Sequence, residues 1–220
     1  MVNSTVGECW LSCIEYVLTN GQTHKDEDIN IYETLGLTIE ITHPIMNDPV
    51  IDKYGDGEVI SNMLAKFSKG IVMTDRPFTY GERIYNHMQV DQFEWLVDRL
   101  TKKKETKSGT ISLLIPGDTS PNLPCLTTID VKIRDEKLEL QVFFRSQNIF
   151  GRQYANLLAL VDLQIKLAQQ CCVEIGKLRC YIASAHIYEF DIDEAKRIIL
   201  GDNLRIQDNY YLKGPKSIRS

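Results

Sequence analysis

The sequence predicts an α+β fold, and three observations carry that expectation. Apolar residues recur at helical spacing in some stretches and alternate in others, the two kinds follow one another in mixed order, and there is no internal repeat. No Pro/Gly-rich or low-complexity stretch divides the chain, so residues 1–220 read as a single domain.

The first helix is expected from Val6 to Leu18. Val6, Cys9, Trp10, Cys13, Ile14, Val17 and Leu18 share a face, Ser4 or Thr5 offers an N-cap, and Asn20-Gly21 a stop. Thr23 to Asn30 is polar and charged and reads as a loop. Leu35 to Thr42 then alternates Leu37, Ile39 and Ile41 on one side as a half-buried strand does, and residues 43 to 56 read as irregular. A helix follows from about Glu58 to Phe67, with Val59, Ile60, Met63, Leu64 and Phe67 at compatible spacing and Gly70 beyond it.

From Asp91 to Lys104 a capping Asp91, a stripe of Phe93, Leu96, Val97 and Leu100, and a basic end make another helix. Thr110 to Ile115, Leu126 to Ile133 and Leu138 to Phe144 read as strands, the last two joined as a hairpin through Arg134-Asp135-Glu136-Lys137. A long helix from Tyr154 to Val173, a strand from Leu178 to Ala183 and a short helix from Asp193 to Leu200 complete the order.

Hydrophobic residues make up 43% and charged residues 25%, the balance of a globular chain, with Lys plus Arg at 25 against Asp plus Glu at 30 for a net charge of −5. No global positive field draws such a chain to nucleic acid or to an anionic membrane, and neither is expected as a partner. No apolar run approaches the roughly 20 residues that span a bilayer, and MVNSTVGECW lacks the features of a signal peptide, so a cytoplasmic location is expected. Of the six cysteines, none forms a C-x-x-C pair; Cys9, Cys13, Cys171, Cys172 and Cys180 read as core thiols. His24, His43 and His87 lack partners at metal spacing, and no metal site is expected.

Cys125, after Pro124 at the start of a strand, is either a packed thiol or a nucleophile. Arg145-Ser146, at the end of the next strand, reads as a surface ion pair or as a small anion site whose guanidinium lowers the thiol pKa. Asn156 lies near the start of an apolar helix, where a buried amide must be paired by a backbone cap or by a ligand with a matching edge. His186 and Tyr188 are two apart in AHIYEF and share a face if extended, for a structural contact or for holding a hydroxyl together.

In order and at these separations, PCL (124–126), FFRSQNIFGRQYAN (143–156) and AHIY (185–188), with Tyr80-Gly81-Glu82-Arg83 upstream, resemble the thymidylate synthase family, most closely its short archaeal-type branch. The resemblance covers about residues 80 to 190. It implies a mixed sheet with a long central helix packed against it, a homodimer, and transfer of a one-carbon unit from methylenetetrahydrofolate to C5 of a pyrimidine nucleotide, with Cys125 adding to C6. Arg145 and Ser146 would take the nucleotide phosphate, Arg145 also activating Cys125, while His186 and Tyr188 would take the ribose hydroxyl. Asn156 would read the ring as uracil, since family members acting on cytosine tend to carry Asp there.

Four departures from the family accompany the resemblance. Its adjacent arginine pair falls near Lys107-Ser108, where Lys102 to Lys104 is the nearest basic cluster and reads as a solvated helix end. Its folate-positioning Asp becomes Asn148, its catalytic Glu has Glu58 as nearest candidate, and LKGPKSIRS (212–220) lacks the family's apolar tail. Methylation of dUMP is therefore the first expectation, beside hydroxymethylation ending in water addition and a nucleotide-binding homologue without turnover.

Overall fold

Of the two caps the sequence offers, Thr5 caps the first helix, its side chain accepting a hydrogen bond from the Glu8 amide. The computed structural model describes residues 1–73, 78–120, 123–202 and 206; LKGPKSIRS lies outside them. A short strand β1 (Val2–Asn3) precedes α1 (Val6–Asn20), whose buried face is Val6, Cys9, Trp10, Cys13, Ile14 and Val17.

Two stretches read as loop or irregular are regular elements. The polar segment after α1 is a strand, β2 (Gln22–Asp26), paired with β3 (Ile29–Ile41) through a turn in which Glu27 takes φ +52°. β2 is exposed on nearly every residue, so its sequence carries no apolar alternation. The segment read as irregular holds a short helix, α2 (Pro49–Tyr54), because Asp48 accepts from the Val50 and Ile51 amides and Pro49 fits the first turn. Asp48 also accepts from the Gly7 amide at 2.7 Å, tying this turn to the start of α1.

The next elements are α3 (Gly57–Phe67), α4 (Tyr80–Tyr85) and α5 (Gln92–Lys102), the last capped by Asp91 as expected. After β4 (Thr110–Ser112) come β5 (Leu126–Arg134) and β6 (Lys137–Phe144), a hairpin whose turn residues Asp135 and Glu136 both have positive φ, 50° and 55°. A short β7 (Gln147–Asn148), the long α6 (Gln153–Gln170), β8 (Glu174–Tyr188) and α7 (Ile192–Ile199) follow. Cys172, expected in the core, is exposed at φ +53° just beyond α6, where the chain turns into β8.

The strands form one mixed sheet in the order β1-β3-β8-β6-β5-β4, with β2 beside β3 and β7 beside β8. β6 and β8 run parallel with α6 as their crossover; β3 and β8 run antiparallel from Ile31↔Tyr188 to Ile41↔Leu178. α1 packs on β3, and α6 on β6 and β8. Leu157, Leu160 and Val161 are fully buried against this face, as are Ile39, Leu140 and Ile182. Each such side chain contributes about 1.5–3 kcal/mol of transfer free energy.

Gln164, fully buried in the middle of α6, donates its amide to the Leu138 carbonyl at 2.8 Å and the Gly176 carbonyl at 3.1 Å, fastening helix to sheet. The opposite face is open: Phe143 and Tyr181 stack there at 5.1 Å, and Arg179 bridges Glu40 and Glu139. No helix among the described residues is long and apolar enough to cross a membrane.

α4 is set by close approach. A Cβ on Gly81 would fall 2.1 Å from the Ser68 carbonyl oxygen, so only glycine lets α4 abut the end of α3, where the rings of Phe67 and Tyr80 meet at 4.7 Å. Gly81→Ala is expected to lower unfolding stability by about 2–3 kcal/mol, measured by urea denaturation, because backbone must shift to admit the methyl.

Candidate active site

The segment from Arg145 to Asn156 leaves β6, forms β7 and enters α6 inside the core. Its carbonyls are met from α1: the Trp10 indole donates to the Ile149 carbonyl at 2.9 Å and the Phe150 carbonyl at 3.3 Å, with the Trp10 and Tyr154 rings 4.8 Å apart. Gln153 donates to the Gln147 amide oxygen at 3.2 Å. This framework fixes the predicted site residues of the segment.

Cys125 stands half-buried immediately before β5. The Arg145 amide donates to its carbonyl at 2.8 Å, and the Arg145 guanidinium, itself exposed, donates to the Pro124 carbonyl at 3.1 Å and the Leu123 carbonyl at 2.7 Å. Arg145 therefore holds the turn that delivers Cys125. Burial pushes the thiol up and the guanidinium charge partly opposes it, so the resting residue is protonated near neutrality.

Tyr80, which sequence reasoning placed only in a matching segment, also belongs here. Its hydroxyl accepts from the Leu126 amide at 3.3 Å, and burial followed by the charge on Cys125 raises its pKa. The signal was legible: Thr79 and Glu82 form a reciprocal cap around Tyr80-Gly81, a T-x-x-E pattern.

β7 lies beside β8 with Asn148 level with His186, and β3 brings Glu33 level with it from the other side. Ser146 Oγ sits 3.4 Å from His186 Nδ1, and His186 meets Tyr188 edge to face at 5.2 Å. Predicted from opposite parts of the chain, Ser146, His186 and Tyr188 thus share one polar face. Burial holds the His186 imidazole below its ordinary range, against the pull of the Asp26 and Glu33 carboxylates.

Tyr188 donates to Asp26 Oδ2 at 2.6 Å. Asp26 went unnoticed in the sequence because it lies in a polar hairpin and meets its partner 162 residues away.

Asn156, 7% exposed, donates its amide to the Arg152 carbonyl at 3.0 Å while its oxygen has no partner among the described residues; Asn148, 8% exposed, accepts from the Gly151 amide at 2.9 Å while its NH2 has none among them. Glu58 is exposed in the first turn of α3, where a negative charge complements the helix dipole. In the lysine run Lys102 pairs with Asp98 and Lys104 with Glu136, while Lys103 is exposed. No group of three or more candidate metal ligands is present among the described residues.

The model of the family described as thymidylate synthase matches residues 19–206. The chain belongs to the thymidylate synthase family. A relative from Methanosarcina mazei is 30% identical over 90% of this chain and 93% of its own length, and one from Methanococcoides burtonii is 30% identical over the same shares. A third, from Methanothermobacter marburgensis, is 29% identical over 88% of this chain and 95% of its own length. All three carry the name "Putative thymidylate synthase". The fold expected of the thymidylate synthase family, a mixed sheet with a long helix across it, is the fold observed.

The low His186 value has a sign that stability measurements read. The unfolded chain takes up a proton near pH 6.5 that the folded chain resists, so stability rises with pH through that window and is lost on acidification below it. The melting temperature is expected to fall between pH 7.5 and 5.5, and His186→Gln to make that fall shallower.

Proposed function

We propose that this chain transfers a one-carbon unit from methylenetetrahydrofolate to C5 of a uridine nucleotide, dUMP to dTMP in the first instance, through a covalent adduct on Cys125. The observation that carries the reading is the buried Asn156 oxygen without a partner, an acceptor suited to the N3–H of a uracil ring, in the segment that opens on the Arg145–Cys125 hydrogen bond. The structure-independent support is family membership.

In this mechanism the Cys125 thiol loses its proton and its sulfur bonds to C6. The C5–C6 double-bond electrons pass to C5, which bonds to the one-carbon unit as one of that carbon's bonds to folate nitrogen breaks. C5 then gives its proton to solvent, and the second carbon–nitrogen bond breaks to release tetrahydrofolate and leave an exocyclic methylene. Addition of hydride from tetrahydrofolate, or of water, to that methylene expels the Cys125 thiolate from C6. The Arg145 charge favours the thiolate, offsetting part of the burial that opposes it. Arg145 has five N–H donors and the two carbonyls of 123–124 engage two of its nitrogens, leaving capacity for a phosphate beside Ser146.

His186 and Tyr188 hold a sugar hydroxyl. Because Tyr188 donates to Asp26, it meets that hydroxyl as an acceptor. Glu58 is the candidate for proton transfer through water at the ring carbonyl. Methylenetetrahydrofolate supplies the carbon and, in methylation, the hydride; the donor NH2 of Asn148 is chemically suited to a pterin carbonyl. The open sheet face, with Phe143 38% and Tyr181 44% exposed, supports a homodimer formed by a second copy covering it, in a cytoplasmic enzyme.

Tritium release from 5-tritiated dUMP tests the covalent step, since exchange at C5 requires only the thiol and a bound ring. Release is expected from the wild type and a drop of at least about 10³-fold from Cys125→Ala with the melting temperature nearly unchanged. Binding without release from any pyrimidine nucleotide would leave a binding protein. With methylenetetrahydrofolate added, dihydrofolate absorbance beside product mass separates methylation, which makes dihydrofolate, from hydroxymethylation, which regenerates tetrahydrofolate.

A further inference from the structure

Between Leu114 and Cys125 the described residues form neither helix nor strand, so something other than a ladder must hold the segment that delivers the thiol. The grip comes from α4 and the start of α5, in antiparallel order. Gln92 donates to the Ser112 carbonyl at 2.9 Å, His87 to the Leu114 carbonyl at 3.3 Å, and Arg83 Nη2 to Asp118 Oδ2 at 3.0 Å, while the Tyr80 hydroxyl accepts from the Leu126 amide at 3.3 Å. Three of these four meet backbone. Arg83–Asp118 alone is an ion pair.

That pair is deeply placed. Its side chains are 9% and 12% exposed, and the Arg83 guanidinium lies over the Phe78 ring, 4.3 Å from its centre. Asp118 is shaped to receive it: the Asp118 amide donates to the Ile115 carbonyl at 3.1 Å, and Oδ1 accepts from the Ser120 amide at 2.9 Å. Among the described residues no other ion pair reaches 114–124, and the buried Arg83 Nη1 has no hydrogen-bond partner. A buried cation with an idle nitrogen adds little to stability, since an apolar pair of the same volume would fill the space as well. What it adds is position, because little water reaches the pair to screen it.

Beside the thiol there is a need for such an anchor. There the exposed Arg145 guanidinium grips the Leu123 and Pro124 carbonyls, and on the proposed function it also takes the nucleotide phosphate. A ligand that draws on Arg145 would loosen the turn unless the segment is also fixed at a point the ligand does not touch.

We propose that Arg83 is a positioning residue for the covalent step, fixing through Asp118 the segment that precedes Cys125. The sulfur then meets the ring at bonding distance while Arg145 serves the phosphate. This inference rests on the proposed function. Displacing the sulfur by about 1 Å costs on the order of 10²-fold in rate without removing any group that touches the ligand.

The test is tritium release from 5-tritiated dUMP by wild type, Arg83→Met, Asp118→Asn and the double variant, with melting temperatures alongside. Asp118→Asn leaves one oxygen where two donors, the Ser120 amide and Arg83, now meet two; it keeps the shape of the turn and decides the question if Arg83→Met does not fold. Each single variant is expected to lose about tenfold or more in kcat with KM changed by less than about threefold. The double variant is expected to be no slower than the slower single one, because a broken pair has nothing further to lose. A lower melting temperature with kcat per folded molecule unchanged is the result of a merely structural role and overturns the proposal. A raised KM at unchanged kcat, or losses that multiply in the double variant, also overturn it. A folded wild type that releases no tritium overturns the proposed function, and this inference with it; release undiminished in the variants overturns this inference alone.

Discussion

A chain that passes from the end of a central strand into the buried first turns of a helix carries backbone carbonyls into the core, and each needs a donor. Here the need is met by Trp10, whose indole reaches from α1 to the carbonyls of Ile149 and Phe150. Arg145, Ser146, Asn148 and Asn156 all hang on that stretch of chain. The amides of Gln147 and Gln153 bind each other within the same turn. The candidate site is therefore built on core backbone, not on a surface loop, and its side chains inherit the rigidity of α1 and α6.

The same burial organises the charges. The cationic group is at the Cys125 end, on Arg145, and the carboxylates of Asp26 and Glu33 are at the His186 and Tyr188 end. On the proposed function, this separation favours a nucleotide with its anionic end toward Arg145 and its sugar hydroxyl toward Tyr188 and Asp26. At the end of α5, Lys102 and Lys104 are occupied by Asp98 and Glu136.

The fold was legible wherever one face of an element is buried. α1, α3 and α5 begin and end within a few residues of the expected bounds because their apolar stripes and caps agree, and Asp135-Glu136 turns the hairpin as expected. β2 was hidden because both of its faces are exposed, and α2 because six residues are too few for a period to show. β8 was read short at its end for a different reason: Ser184, His186 and Tyr188 place polar groups where a core strand would be apolar, and the last two are residues of the candidate site. Cys125, Arg145 and Asn156 stood out by residue type and position. The contact between Asp26 and Tyr188 had no local trace, since it exists only after β2 folds beside β3 and β3 beside β8.

The cysteines divide by exposure in a way that matters for covalent chemistry. Cys9, Cys13 and Cys180 lie in the interior; the hydrogen bond with Cys13 and then burial raise the Cys9 thiol, and burial raises that of Cys180, so soluble alkylating agents are expected to react with them slowly in the native state. Cys172, exposed in its left-handed turn, meets such a reagent first. An electrophile designed to mimic a nucleobase gains selectivity from shape and polarity and not from thiol reactivity, because the more accessible sulfur lies beyond the far end of α6.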